Sequence, residues 1–215
     1  MEKRRFGIDG PGYQYPRSEE ARRDDHLRGA LLFRALLRAA ERDAVLVVGG
    51  PAVADVAHPN LARVLEAGEV EGTPFALVED LRDAKTVAEL VAEKGAAHWQ
   101  EAVALGRGLA RALDALHTVG LVHGDLALSS VHVNARWEPL LARRIERGEP
   151  ARNLVELGAI LYALATGTLP ASEPVAPRAI VEEIPEKLEK LIGELLAGRG
   201  VSAARAALAL DALVG

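Results

Sequence analysis

Apolar and polar positions divide the chain into a weakly patterned beginning, a short alternating middle and a long stretch of helical periodicity. Residues 98–118 place Ala102, Leu105, Leu109, Ala112, Leu113 and Leu116 on one face of a helix. His117 in the last turn suits the negative helix end, and Gly120 supplies the stop. Residues 154–165 predict a second, strongly apolar helix that ends at Gly167, with Pro170 beyond it. Pro185 opens a third with Leu188, Leu191, Ile192, Leu195 and Leu196 inward, closed by Gly198. An Ala-rich run over 202–213 predicts the last helix, and 171–180 reads as a proline-rich connection. Earlier, Thr86-Val87-Ala88-Glu89 is a capping box that starts a short helix stopping near Gly95.

Residues 27–48 fit two patterns. Leu27, Ala30, Leu31, Ala35 and Ala39 keep helical spacing, with Arg34, Arg38 and Arg42 on a polar stripe. As a hairpin, 30–37 and 44–48 are strands joined by a turn at 40–43, and β-branched Val45-Leu46-Val47-Val48 before Gly49-Gly50-Pro51 is the firmer of the two. Residues 1–25 lack apolar periodicity and read as a flexible, solvated arm. Gly7, Gly10 and Gly12 invite a phosphate-loop reading, but Pro11 interrupts them and no apolar strand precedes them. Glu71-Gly72-Thr73 is a turn, followed by a strand over 74–81. The run from Leu121 to Val133 reads apolar pair, polar turn, apolar alternation. It predicts a tight loop between two short buried strands, with Asp125 at its crest and the helical segments 105–117 and 154–167 carrying it.

Composition narrows the classes. With 215 residues, 49% of them hydrophobic, the chain can bury a core in one domain or two small lobes. A net charge of −5 gives no nucleic-acid or anionic-membrane footprint. Cysteine is absent, which excludes disulfides, thiolate catalysis and cysteine-based zinc sites. No apolar run approaches the roughly 20 residues of a bilayer span, and the N-terminus does not read as a signal peptide. The expectation is a cytoplasmic protein or a soluble piece of one. His58, His98, His117 and His132 are scattered without zinc-binding spacing, so no metal is expected.

The loop Leu121-Val122-His123-Gly124-Asp125-Leu126-Ala127-Leu128-Ser129-Ser130 resembles the catalytic loop of the bacterial eukaryotic-like serine/threonine protein kinases, His-Arg-Asp-Leu-Lys-Pro-x-Asn. Leu32–Ala35 with Val45–Val47 looks like kinase strands two and three, and Ala57–Glu69 like the stretch between helix C and strand four. The resemblance implies an α+β, protein-kinase-like bilobal fold with a reduced N-lobe sheet and a mainly helical C-lobe. Its domains would be an arm at 1–25, a reduced N-lobe at 26–82 and a helical C-lobe at 83–215.

Phosphoryl transfer on such a fold depends on positioned charge, namely a strand-three lysine with its glutamate, a catalytic aspartate and magnesium ligands. By the resemblance the lysine position is Val47, and no lysine occurs between Lys3 and Lys85. His123 and Asp125 match the family, whereas its arginine is Gly124, its lysine Ala127 and its magnesium-binding asparagine Ser130. Residues 134–149 contain no aspartate. The helix-F aspartate corresponds to Asn153, which can still bond the loop backbone. Asp125 is then either a general base or a loop anchor, and the missing partners favour the anchor.

The expectation is therefore a catalytically inactive pseudokinase, not an enzyme, that acts as a protein-interaction or regulatory module without ATP or another cofactor. Its partner would be a protein or a second copy of the chain, bound through the N-lobe at Phe33, Val45 and Val47. There the short stretch 51–57 leaves no full helix C to cover Leu31, Val64 and Leu77. The alternative is a small-molecule phosphotransferase of the aminoglycoside or choline kinase type, which shares the His-Gly-Asp spelling, with atypical metal ligation. A third reading is a structural domain of a larger chain.

Overall fold

The computed structural model describes residues 13–14, 31–37, 42–48, 56–70, 73–81, 83–142 and 145–214. The chain divides into two compact units, Met1–Ala57 with Arg63–Asp80, and His58–Ala62 with Leu81–Gly215. Mixed helices and small sheets are compatible with the expected α+β class.

The first unit is a five-stranded antiparallel sheet. Its strands are β1 (Tyr13–Gln14), β2 (Leu31–Leu37), β3 (Arg42–Val48), β4 (Val64–Val70) and β5 (Thr73–Glu79), in the order β1-β2-β3-β5-β4. Leu31–Leu37 and Arg42–Val48 thus pair as antiparallel strands and are not helical, with Leu31 opposite Val48 and Leu37 opposite Arg42. The β-branched run of β3 favours this choice, because branched side chains pack well on a pleated surface. Within the expected arm, Tyr13–Gln14 pairs with β2, and the rest of 1–25 lies outside the described residues.

Two expectations about this sheet need correction. Val47, expected at a partner surface, is buried and packs with Ala76, Val78 and Val64 in the unit's own apolar cluster. Leu77 was grouped with Val47, but Val47 lies opposite Ala76, so the pleat sends Leu77 to the other face. Ala76, Leu77 and Val78 are all buried, so β5 is covered on both faces. The side chains of Phe33 and Val45 lie outside the described residues.

The second unit begins with a displaced boundary. His58–Ala62 was expected in the N-lobe, yet its bonds are made with the helical unit. Asn60 Nδ2 donates to Pro139 O at 2.8 Å, Leu141 N to Asn60 O at 2.9 Å and Ala62 N to Leu141 O at 3.0 Å. These bonds satisfy the backbone of a segment whose Leu61 and Ala62 are buried.

Next come β6 (Lys85–Thr86) and α1 (Val87–Lys94). The capping box is present, with Glu89 N donating to Thr86 Oγ1 and Thr86 N to the Glu89 carboxylate. Helix α2 (Trp99–Thr118) buries Ala102, Leu105, Leu109, Ala112, Leu113 and Leu116, the face its periodicity predicts. The strands β7 (Leu121–His123), β8 (Val131–Val133), β9 (Pro139–Leu141) and β10 (Ile145–Arg147) follow, arranged as β10-β7 and β6-β8-β9.

Helix α3 (Ala151–Thr166) ends at Gly167, which has φ +77°. A side chain there would also strike Ala96 N at 2.7 Å, so glycine is required twice over. A single turn, α4 (Pro177–Ile180), forms within the proline-rich connection, and α5 (Glu186–Leu196) and α6 (Ala203–Asp211) complete the unit.

The α3–α5 contact depends on Gly158. A Cβ at this position would lie 2.9 Å from Leu195 Cβ and 3.0 Å from Leu196 N, part of it backbone that cannot rotate away. Gly158→Ala should therefore destabilise the protein by about 1–3 kcal/mol through overpacking. Gly193→Ala, on the same α5 but with open space around it, should stabilise it by about 0.4–1 kcal/mol. Urea denaturation of the two variants checks the opposite signs.

Candidate functional site

The loop between β7 and β8 is closed from three sides. Asn153, in the first turn of α3, is buried beneath it at 1% exposure. Its Oδ1 accepts from His123 N at 2.8 Å, and its Nδ2 donates to His123 O at 2.7 Å. One amide thus pairs with both peptide groups of a single residue, as a neighbouring strand would. Nδ2 also donates to Glu156 Oε2 at 3.0 Å, which fixes the amide orientation because a carboxylate only accepts. Arg152 Nε holds the other Glu156 oxygen at 2.7 Å.

The His123 ring is buried. Nε2 meets Ala142 O at 2.8 Å, and Asp125 N donates to Nδ1 at 3.3 Å. A carbonyl only accepts, so the proton sits on Nε2 and the ring is used at both nitrogens. Ser130, where the resembled loop carries a metal-binding asparagine, turns its hydroxyl inward. Oγ accepts from Ala127 N at 3.0 Å and donates to Ala127 O at 2.9 Å, while Ser130 N donates to Ala127 O at 3.0 Å. These three bonds close the turn.

Asp125 stands half-buried at the crest. Beside it, a Cβ on Gly124 would lie 3.1 Å from the Glu146 carboxylate, which β10 brings over the loop by pairing with β7.

A second histidine reaches the same amide. His117 Nε2, from the end of α2, lies 3.3 Å from Asn153 Oδ1. Burial holds its pKa below the ordinary histidine value, while the bond to Asn153 and the charge of Asp114 partly offset this. His58 is also lowered, first by burial and then by the Arg111 charge.

The structure therefore brings His123, Asp125, Ser130 and Asn153 together, and Val47 belongs to the sheet unit. Sequence reading missed Glu156, Ala142 and the role of His117. Glu156 three residues after Asn153 is the one signal that helical spacing offered. Among the described residues, no group of three or more His, Asp or Glu is placed to hold a metal ion, and no helix is long and apolar enough to cross a membrane.

No protein-family model matches the chain. It is similar to a probable serine/threonine-protein kinase of Clostridium perfringens, 22% identical over 185 residues, covering 66% of this chain and 27% of that protein. It is also similar to the serine/threonine-protein kinase PknK of Mycobacterium bovis, 26% identical over 139 residues, covering 51% of this chain and 12% of that protein. With PknK of Mycobacterium tuberculosis it shares 30% identity over 84 residues, 39% of this chain and 8% of that protein. The chain spans about a quarter or less of the length of these relatives. The similarities support a kinase-like family. They also correct the expectation that the chain is no enzyme, because the relatives are named as kinases, and kinases are enzymes.

Restoring an acidic residue beneath the loop should not improve it. Asn153→Asp keeps an acceptor for His123 N but sets carboxylate oxygen against His123 O and Glu156, where Nδ2 now donates. A loss of about 2–4 kcal/mol is expected, since His123 O and the half-buried Glu156 carboxylate lose their donor and gain a repulsion. Asn153→Ala should cost about 1–3 kcal/mol. Chemical denaturation checks both, with Asn153→Asp the less stable above pH 7.

Proposed function

We propose that the chain works as a protein-interaction or regulatory module built on a kinase-like scaffold. The observation that carries this reading is the inward commitment of the loop. The Ser130 hydroxyl, the Asn153 amide and both His123 ring nitrogens are bonded to groups of the protein itself. A loop so fastened is a stable surface, which suits recognition. The proposed partner is a second protein or a second copy of the chain, engaged through the sheet unit; Phe33 pairs with Leu46 and Val45 with Val78, so the two positions stand on opposite faces of the sheet and are substituted separately to find which face is engaged. Val47 drops out because it is buried.

A second reading, phosphotransfer, is favoured by the names of the relatives. In that reading Asp125 is the general base, and ATP with magnesium must bind.

Thermal melting with Mg-ATP separates the two. A ligand at 100 times its dissociation constant adds about 2.7 kcal/mol of stability. The module reading expects no upward shift beyond that given by magnesium alone, and Asp125→Asn should leave association with the partner unchanged. A clear Mg-ATP shift, with phosphate transfer abolished by Asp125→Asn in a folded protein, would establish the second reading instead.

A further inference from the structure

Six large apolar side chains are exposed among the described residues, and three of them fall in the connection between α3 and α5. They are Leu169 at 66%, Val175 at 57% and Ile180 at 45%. The backbone that carries them is fastened at several points. Thr168 N donates to Thr166 Oγ1 at 3.4 Å, and Tyr162 Oη donates to Val175 O at 3.1 Å. Tyr162 and Thr166 stand on successive turns of α3, so both ends of the exposed stretch return to the same end of that helix. Beyond it Pro177 is buried, and Arg178 N donates to Glu189 Oε2 on α5 at 2.8 Å. Pro170 and Pro174 stiffen the part between. Leu169, Val175 and Ile180 are therefore displayed on a fixed backbone, and covering them would lose little ordering entropy.

Clustered apolar exposure of this kind marks an interface, and the charge around it says what fits. Glu173, Glu182, Glu183 and Glu186 are all exposed on this stretch, against the single exposed cation Arg178. Among the described residues none of these four carboxylates makes an ion pair or a hydrogen bond. A second copy docked face to face would set like charges against each other, so this surface disfavours its own copy. We propose that the connection 168–186 is a docking surface for a basic, apolar-faced segment of another protein. The partner's apolar side chains cover Leu169, Val175 and Ile180, and its lysines or arginines meet the four glutamates. The surface belongs to the helical unit and is independent of the partner proposed for the sheet.

The test titrates the full, isotope-labelled chain with two probes, an amphipathic helical peptide of leucine and lysine and its leucine–glutamate counterpart. The lysine peptide should bind and shift backbone amides within 168–186, and the glutamate peptide should not bind. A double variant, Leu169→Ser with Val175→Ser, keeps every charge and alters only exposed side chains. Its affinity for the lysine peptide should fall about tenfold or more, as expected when two apolar side chains no longer find cover. Glu182→Lys with Glu183→Lys should weaken binding as well, and added salt should weaken it in wild type. Equal binding by the double serine variant would show attraction by charge alone and overturn the proposal. So would amide shifts centred elsewhere, binding of the glutamate peptide, or self-association of the wild type through this stretch. The shift map of the wild type decides the matter even if a variant fails to fold.

Discussion

The buried amide of Asn153 sets the conformation of the β7–β8 loop. Two bonds of 2.7 and 2.8 Å to the peptide groups of His123 fix where β7 ends. From that point the chain must turn, and Ser130 closes the turn on Ala127 before β8 can begin. The ring of His123 then ties the loop to Ala142, beyond β9. If the amide is removed, both of its bonds to the backbone of His123 are lost, which destabilises the loop.

The choice of amide over carboxylate follows from the neighbours. Glu156 presents an acceptor to Nδ2, so the site beneath the loop already contains one acidic group, itself held by Arg152. A second carboxylate would need desolvation without a matching donor. What looks in the sequence like an aspartate neutralised by substitution is, in the structure, a donor and acceptor matched to three partners. The same holds for Ser130, whose short side chain reaches its own loop and no farther.

Much of the scaffold was legible in the chain. The apolar face of α2, the capping box at Thr86, the left-handed stop at Gly167 and the strand of Val45–Val48 all follow from local periodicity and turn chemistry. Of the site, His123, Asp125, Ser130 and Asn153 were visible through their resemblance to a family loop. Ala142 and His117 were not, because their contacts join residues 19 and 36 positions apart, and nothing in local spacing encodes such meetings. His58–Ala62 was assigned to the wrong unit for the same reason, since its partners Pro139 and Leu141 lie far along the chain. Val47 was legible as an apolar residue in place of a lysine, but its cover by Ala76 and Val78 depends on register that only the paired strands reveal.

Distant similarity to bacterial serine/threonine kinases and the geometry of this loop meet in one claim, that α3 holds the loop rigidly through Asn153. Native-state hydrogen exchange of the His123 and Ser130 amides tests it most directly. The account predicts that both exchange only through global unfolding, with the same free energy as core amides of α2 such as Leu109. Exchange of these two amides through a local opening several kcal/mol cheaper than that of Leu109 would contradict it.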